Sequence, residues 1–486
     1  MKVLLVSHSF EDNSRTHYNP NTAYSLGLAY LASFLEMKGH QVDVLWLDCF
    51  DFVYAHKRIL SKIEEIKPDV LGIQMFTMNR VSSYRLIEDC SRKYPKIKIV
   101  AGGIHASAMP EQIIEKYKNV IIVIGEGEIT FSELMSAFRS GRKLEKIKGL
   151  VFWKDGRLVK TEERELIYDL DSLPFPKHEI YFDSEPQRTG AHIITSRGCP
   201  FNCSFCCLFL ISKRKHRKRS INNIIKEIVG LKRKYPRLKT IQFHDDTFTL
   251  DNNRVIEFCK KIIPYKLDIK FSASGRIKPV SEEMLYYMEK AGFEKVMFGL
   301  ETGAEKLMKN IHKAINKKDV EQLFHMLKKR NFLIIIFLMV GFPGENENTV
   351  RETIDFVKKL QKIKYTYVAG VAKLWVYPRT EVYQIMKNSG CISNDYWLSD
   401  KNVPYFTVEH SLKNLKIFEN RLANNLCIAR IFTLGGFFHH FLSMPLIILR
   451  FLIRHKYFLL VIIGESIKVY SPYLYIKLYK LYQKNK

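Results

Sequence analysis

Acid is scarce in this chain. Its 486 residues carry 50 Asp and Glu against 77 Lys and Arg, a formal net charge of +27. The shortage is local, because residues 1–140 hold sixteen side chains of each sign. The surplus lies downstream, with a knot at 212–219 where six of eight residues are Lys or Arg. Cysteine is sparse too, nine in all, whereas a disulfide-stapled secreted domain packs many into a short chain. The opening "MKVLLVSHSFEDN" lacks the ordered basic region, apolar core and cleavage site of an export signal. A reducing, cytoplasmic setting is therefore expected. No internal repeat or low-complexity tract organises the chain.

Four of the nine cysteines fall within nine residues, in "TSRGCPFNCSFCCLFL" from Thr195 to Leu210. Tetrahedral zinc would suit Cys203-x2-Cys206 only with a second ligand pair. None follows, and His216 sits inside "KRKHRKR", where solvation accounts for it. Cys199, Cys203 and Cys206 form Cys-x3-Cys-x2-Cys, three soft thiolates on one tight loop. They suit three irons of a cubane 4Fe–4S cluster and leave the fourth iron open, as a catalytic centre requires. Cys207 lies outside the pattern and is expected to be a small buried residue.

This spacing resembles the signature of the radical S-adenosylmethionine (SAM) enzymes, including Phe205 between two ligands. The resemblance implies that the open iron chelates the amino and carboxylate groups of SAM, and that an electron from the cluster cleaves SAM to methionine and a 5′-deoxyadenosyl radical. The chain after the loop agrees. Six apolar runs, beginning with "AHIITS" and ending with "TYVAGVAKLWVYP", alternate with helical patterns at 221–235, 253–263, 282–291, 317–329 and 347–362. That alternation predicts a partial (βα)6, TIM-like barrel over residues 191–385, with chemistry at the C-terminal ends of its strands. Polar residues stand there. By the resemblance, Asp245 and Asp246 contact the SAM amino group. Ser274 and Arg276 supply polar contacts, the arginine to the carboxylate. Glu301 accepts from ribose hydroxyls, and Gly341 of "GFPGE" lets backbone approach the cofactor. No catalytic residue is assigned beyond the cluster.

Residues 1–140 are too long for a leader and read as a domain. "MKVLLVS", "QVDVLWLD", "PDVLGIQMFTMN", "KIKIVAGGIHAS" and "NVIIVIGEGEIT" predict a doubly wound, five-stranded parallel sheet, with a ligand at its C-terminal edge. Neither glycine loop is a G-x-G-x-x-G fingerprint. "VAGGIHAS" and "VIGEGEITFSEL", ahead of such a barrel, resemble the cobalamin-binding domain of cobalamin-dependent radical SAM enzymes. The resemblance covers residues 1 to about 381. It implies Thr77, Gly102, Gly103, His105, Gly125 and Glu126 as cobalamin contacts, His105 as a loop residue rather than a cobalt ligand. Many such domains carry Asp-x-His-x-x-Gly. The matching region is taken as "LDCFDFVYAH", which has no histidine two residues after Asp48. The lower cobalt face is therefore expected to lack one.

Residues 141–190, rich in proline, glycine and charge, read as a connector with a small hairpin. Residues 386–486 read as a helical extension. From 430 to 450 the chain runs "RIFTLGGFFHHFLSMPLIILR", and from Ser411 on twelve Lys and Arg face two Glu. Buried helices, an interfacial anchor at the inner face of a membrane, and a spanning helix are the three readings of this stretch.

The expected function is C-methylation of an unactivated carbon in a small or lipid-like substrate. Three alternatives stand beside it: ring closure or rearrangement without methyl transfer, RNA modification, and a zinc or nucleic-acid-binding protein with a structural metal site. An electron donor such as flavodoxin or ferredoxin is an expected partner. With no appended RNA-binding motif, nucleic acid is not.

Overall fold

The computed structural model describes residues 1–10 and 24–426. Strands β1 (Lys2–Ser7), β2 (Gln41–Trp46), β3 (Val70–Gln74), β4 (Lys98–Gly102) and β5 (Val120–Val123) are parallel, in the order 2-1-3-4-5. Alternation along β1 shows why the sheet is covered on both faces. Leu4 and Val6 enter one core with Ile59, Ile63 and Leu86, while Val3 and Leu5 enter the other with Leu28, Leu35 and Leu134. Strands buried on both sides read as nearly unbroken apolar runs, as β1, β3 and β5 do. The order reverses direction between β1 and β3, the point at which such sheets bind ligands.

The sheet is wider than the five strands expected. The hairpin of β6 (Leu150–Lys154) and β7 (Arg157–Lys160) adds to it, β6 antiparallel to β5. Val120 to Val123 would otherwise be an apolar open edge, and Leu150, Val151 and Phe152 cover it fully buried. The hairpin belongs to the first sheet rather than to a free connector.

The second sheet holds six parallel strands in chain order: β8 (Gly190–Ile193), β9 (Thr240–Phe243), β10 (Lys270–Gly275), β11 (Phe293–Glu301), β12 (Leu333–Val340) and β13 (Thr366–Lys373). Helices Ile221–Lys234, Asn252–Ile262, Glu282–Lys290, Lys317–Lys328 and Glu347–Ile363 connect them. Ile241, Phe243, Ala273, Val296 and Phe298 pack beneath those helices. Gln242, Ser272, Ser274 and Lys295, at alternate positions, take the other face.

After β13 the chain turns back over both sheets. Phe418, Leu422 and Leu426 of helix Leu412–Leu426 join the barrel core. Trp397, fully buried, reaches the first domain, where Arg80 donates to the carbonyls of Trp397 (3.3 Å) and Ser399 (3.4 Å). No helix of the described residues is long and apolar enough to cross a membrane. The stretch 430–486, with its anchor, span and buried-helix readings, lies outside the described residues.

Candidate active site

The cysteine loop leaves β8 through residues held by two adjacent carboxylates that do different work. Asp245 is buried and accepts from the Thr195 amide (2.6 Å) and from the Thr195 and Ser196 hydroxyls. Arg254 braces the same turn, donating to the Thr195 carbonyl at 2.8 Å. Burial pushes the Asp245 carboxyl above its ordinary range. Its oxygens are occupied by the loop, so the structure places it under the turn rather than toward a cofactor. Asp246 takes the Gly198 amide at 2.8 Å and lines the large cavity described below. Burial, with Asp245 adding to it, pushes Asp246 up to about 6.

Gly198 is irreplaceable on steric grounds. Its φ is +91°, and a Cβ there would stand 2.1 Å from the Lys215 carbonyl oxygen. The left-handed backbone alone would cost another residue about 1–3 kcal/mol. Gly198→Ala is accordingly expected to lose iron on reconstitution, read by iron assay against the wild-type protein.

Cys199, Cys203 and Cys206 are unpaired thiols on this loop, Cys206 exposed and the others half-buried. They border a recess with Phe201, Asn202 and Arg214. Burial raises the Cys199 thiol above its ordinary value, so its proton would be displaced by metal rather than lost beforehand. Among the described residues no three His, Cys, Asp or Glu side chains converge as ligands of one ion. Thiolates that each bind a different iron of a cubane need no such convergence. The loop fits a cluster. Phe205, 5.7 Å from Phe342 between ring centroids, ties the loop to the turn after β12.

Arg276 follows β10 directly and lies against this loop. Its guanidinium stacks 3.6 Å from the Phe201 ring, with Nη1 3.6 Å from Cys203 Sγ and Nη2 donating to the Lys313 carbonyl. Ser274 stands half-buried two residues earlier. Glu301 adopts a left-handed backbone (φ +68°) and forms a buried ion pair with Lys313 at 2.8 Å. Gly299 makes room, since a Cβ there would lie 2.3 Å from Glu301 Oε1. Lys313 carries no motif in "KNIHKAINK" and escapes sequence reading.

Gly341, at φ +98°, and Phe342 donate their amides to Glu345, whose carboxyl burial pushes up to about 7 from 4.5. A raised folded-state pKa favours the neutral acid. Its stabilisation is complete below the unfolded value and is lost as pH rises through about 7. The shift corresponds to ~3 kcal/mol at most. Between pH 5 and 8 the wild-type unfolding midpoint should fall, and Glu345→Gln should flatten that fall.

A cavity of about 630 Å³ lies between the C-terminal edge of the first sheet and the cysteine loop. Glycines 27, 72, 103, 125, 127 and 198 are among its lining residues, and a glycine lets backbone approach a broad ligand. Gly103 requires this residue type: φ is +97°, and a Cβ would meet the Met75 carbonyl at 2.9 Å. Of the expected cobalamin contacts, Thr77, Gly103, Gly125 and Glu126 line the cavity, whereas Gly102 and His105 do not. His105 is closed in between the Thr77 and Tyr84 hydroxyls, 3.2 Å from each, and burial lowers it to about 3. It is a neutral structural residue. Cys207 lines the cavity instead of the core.

Asp48 follows the outer strand β2 and pairs with the Ser7 hydroxyl, away from the cavity. The sheet's share of the walls comes from β1, β3, β4 and β5, and no residue of "LDCFDFVYAH" lines the cavity. No histidine among the described residues lines the cavity.

Comparison with known proteins matches residues 193–357 to the radical SAM superfamily and 19–135 to the B12 binding domain. An uncharacterized methyltransferase, PH0819, of Pyrococcus horikoshii is 30% identical over 430 residues, covering 88% of this chain and 90% of the relative. The chain belongs to the cobalamin-dependent radical SAM family. The cofactors of this radical SAM enzyme are a 4Fe–4S cluster, SAM and cobalamin. It is also similar to the anaerobic magnesium-protoporphyrin IX monomethyl ester cyclase of Rubrivivax gelatinosus, 27% identical over 67% of this chain and 60% of the cyclase. The fold is that of the radical SAM methyltransferase TsrM from Kitasatospora setae, with a TM-score of 0.66, 20% identity, and 86% and 82% of the two chains covered.

Proposed function

We propose that this radical SAM enzyme transfers a methyl group to an unactivated carbon of a small or lipid-like substrate. One observation carries the reading: a single cavity runs from the glycine-lined sheet edge to Gly198, Cys207 and Asp246 beside the cysteine loop. A substrate there would touch both cofactor sites at once, the proximity such chemistry requires. When bound, SAM with the cluster supplies the hydrogen-abstracting radical, and cobalamin carries the methyl group.

Each side chain has a proposed share. Cys199, Cys203 and Cys206 hold the cluster, and Asp245 fixes their loop from beneath. Asp246 faces the cavity, where its carboxylate suits the ammonium of SAM. Arg276 lies against Cys203, and the Glu301–Lys313 pair closes the neighbouring strand end. Lys213, Arg214 and Lys215 beside the loop suit an acidic electron donor of the flavodoxin or ferredoxin class.

The relatives named as methyltransferases support the reading, among them cytidylyl-2-hydroxyethylphosphonate methyltransferase of Streptomyces wedmorensis. The similarity to ring-closing cyclases favours a second, closure without methyl transfer. SAM with a deuterated methyl group, supplied with fractionated cell extract as substrate source, separates them. Methyl transfer gives a product carrying the deuterated methyl, and closure gives one without deuterium.

A further inference from the structure

We propose that Glu126, Glu128, Arg197 and Arg217 are positioning residues, a clasp that sets the separation between the cobalamin site and the cluster. The proposal rests on the reading that the cavity holds cobalamin against the cluster loop. Arg197 stands two residues before Cys199, and its guanidinium forks: Nη1 lies 2.9 Å from Glu126 Oε1, Nη2 2.7 Å from Glu128 Oε1. Arg217 meets the other oxygen of Glu126 at 2.7 Å. Both arginines reach the same glycine loop because Ser196–Arg197 and Arg217–Lys218 form a short antiparallel pair, Arg197 directly opposite Arg217.

Two anions and two cations balance. All four side chains are largely buried, from 4% exposed at Arg217 to 16% at Arg197. Such groups recover their desolvation cost only when the geometry is held, so they report a fixed arrangement more than added stability. Ile167 closes it, its amide on Glu126 Oε2 at 3.0 Å and its carbonyl accepting from Arg217 at 2.6 Å. The four residues line the cavity, and Glu126 lies between Gly125 and Gly127, which face it too. From the opposite side Asp245 and Asp246 hold Thr195, Ser196 and Gly198. The cysteine loop is thus pinned to the barrel and to the cobalamin-binding sheet together. A substrate carbon must lie between two reaction centres, and a misplacement of about 1 Å costs roughly 100-fold in rate. A carboxylate that resembles a cofactor ligand in sequence serves here to hold the two halves in register.

The test uses full-length protein loaded with cluster and cobalamin, reduced so that both the cluster and cob(II)alamin are paramagnetic. Pulsed electron paramagnetic resonance then reads the distance between them in samples matched for iron and cobalt. Wild-type protein should give one narrow distance distribution. In Glu126→Gln/Glu128→Gln it should widen or shift by about 1 Å or more, with Arg197→Lys, which keeps the charge but loses the fork, in between. If the double variant holds no cofactor, Glu128→Gln, which leaves the Arg217–Glu126 pair, carries the test and should widen it. Unchanged narrow distributions in the variants overturn the clasp. A wild-type protein with both cofactors and no measurable coupling overturns the cofactor reading beneath it.

Discussion

Replacing Cys199, Cys203 and Cys206 together with alanine should take iron from about four per chain to background. With no electron source at the loop, reductive formation of 5′-deoxyadenosine from SAM should fall at least ~1,000-fold. Cys207→Ala should retain the iron, because that thiol faces the cavity while the recess is bordered by the other three. Iron assay and chromatography of the SAM products check both statements. Normal iron in the triple variant would remove the cluster assignment.

Gly127→Phe should weaken cobalamin binding by at least ~100-fold, close to 3 kcal/mol. Gly127 lines the cavity and caps the helix Glu128–Ser140 at φ −89° and ψ −23°, a conformation open to any residue. A Cβ there meets only Leu31 Cδ1, at 4.0 Å. The larger side chain therefore has space only where the ligand would lie, and the folded protein should keep its unfolding midpoint. Titration with cobalamin, alongside thermal unfolding of the ligand-free protein, separates a blocked cavity from a damaged fold. Unchanged cobalamin affinity would move the cobalamin site elsewhere.

The barrel is legible in the sequence because each strand and helix has its own period. The five connecting helices lie within a residue or so of their expected limits, from Ile221–Lys234 to Glu347–Ile363. The cysteine spacing is legible for the same reason, being local. What depends on distant partners is not. Asp245 and Asp246 look alike in "FHDD", yet consecutive residues point different ways, and one carboxylate closes under Thr195 while the other meets the cavity. Glu126 resembles a ligand contact until arginines 71 and 91 residues away are found on it. The hairpin at 150–160 reads correctly as a hairpin, but its attachment to β5 is a matter of which edge lies bare. Arg80 meets carbonyls more than 300 residues on, a contact with no local signal.

The most direct measurement counts what the enzyme makes from SAM. Anaerobically reconstituted protein, given reductant and SAM, is predicted to form both 5′-deoxyadenosine and S-adenosylhomocysteine. The second product should rise in step with bound cobalamin and vanish without it, because loss of the methyl group to cobalamin is its source. 5′-Deoxyadenosine without S-adenosylhomocysteine, in protein that holds cobalamin, would contradict methyl transfer and leave ring closure or rearrangement.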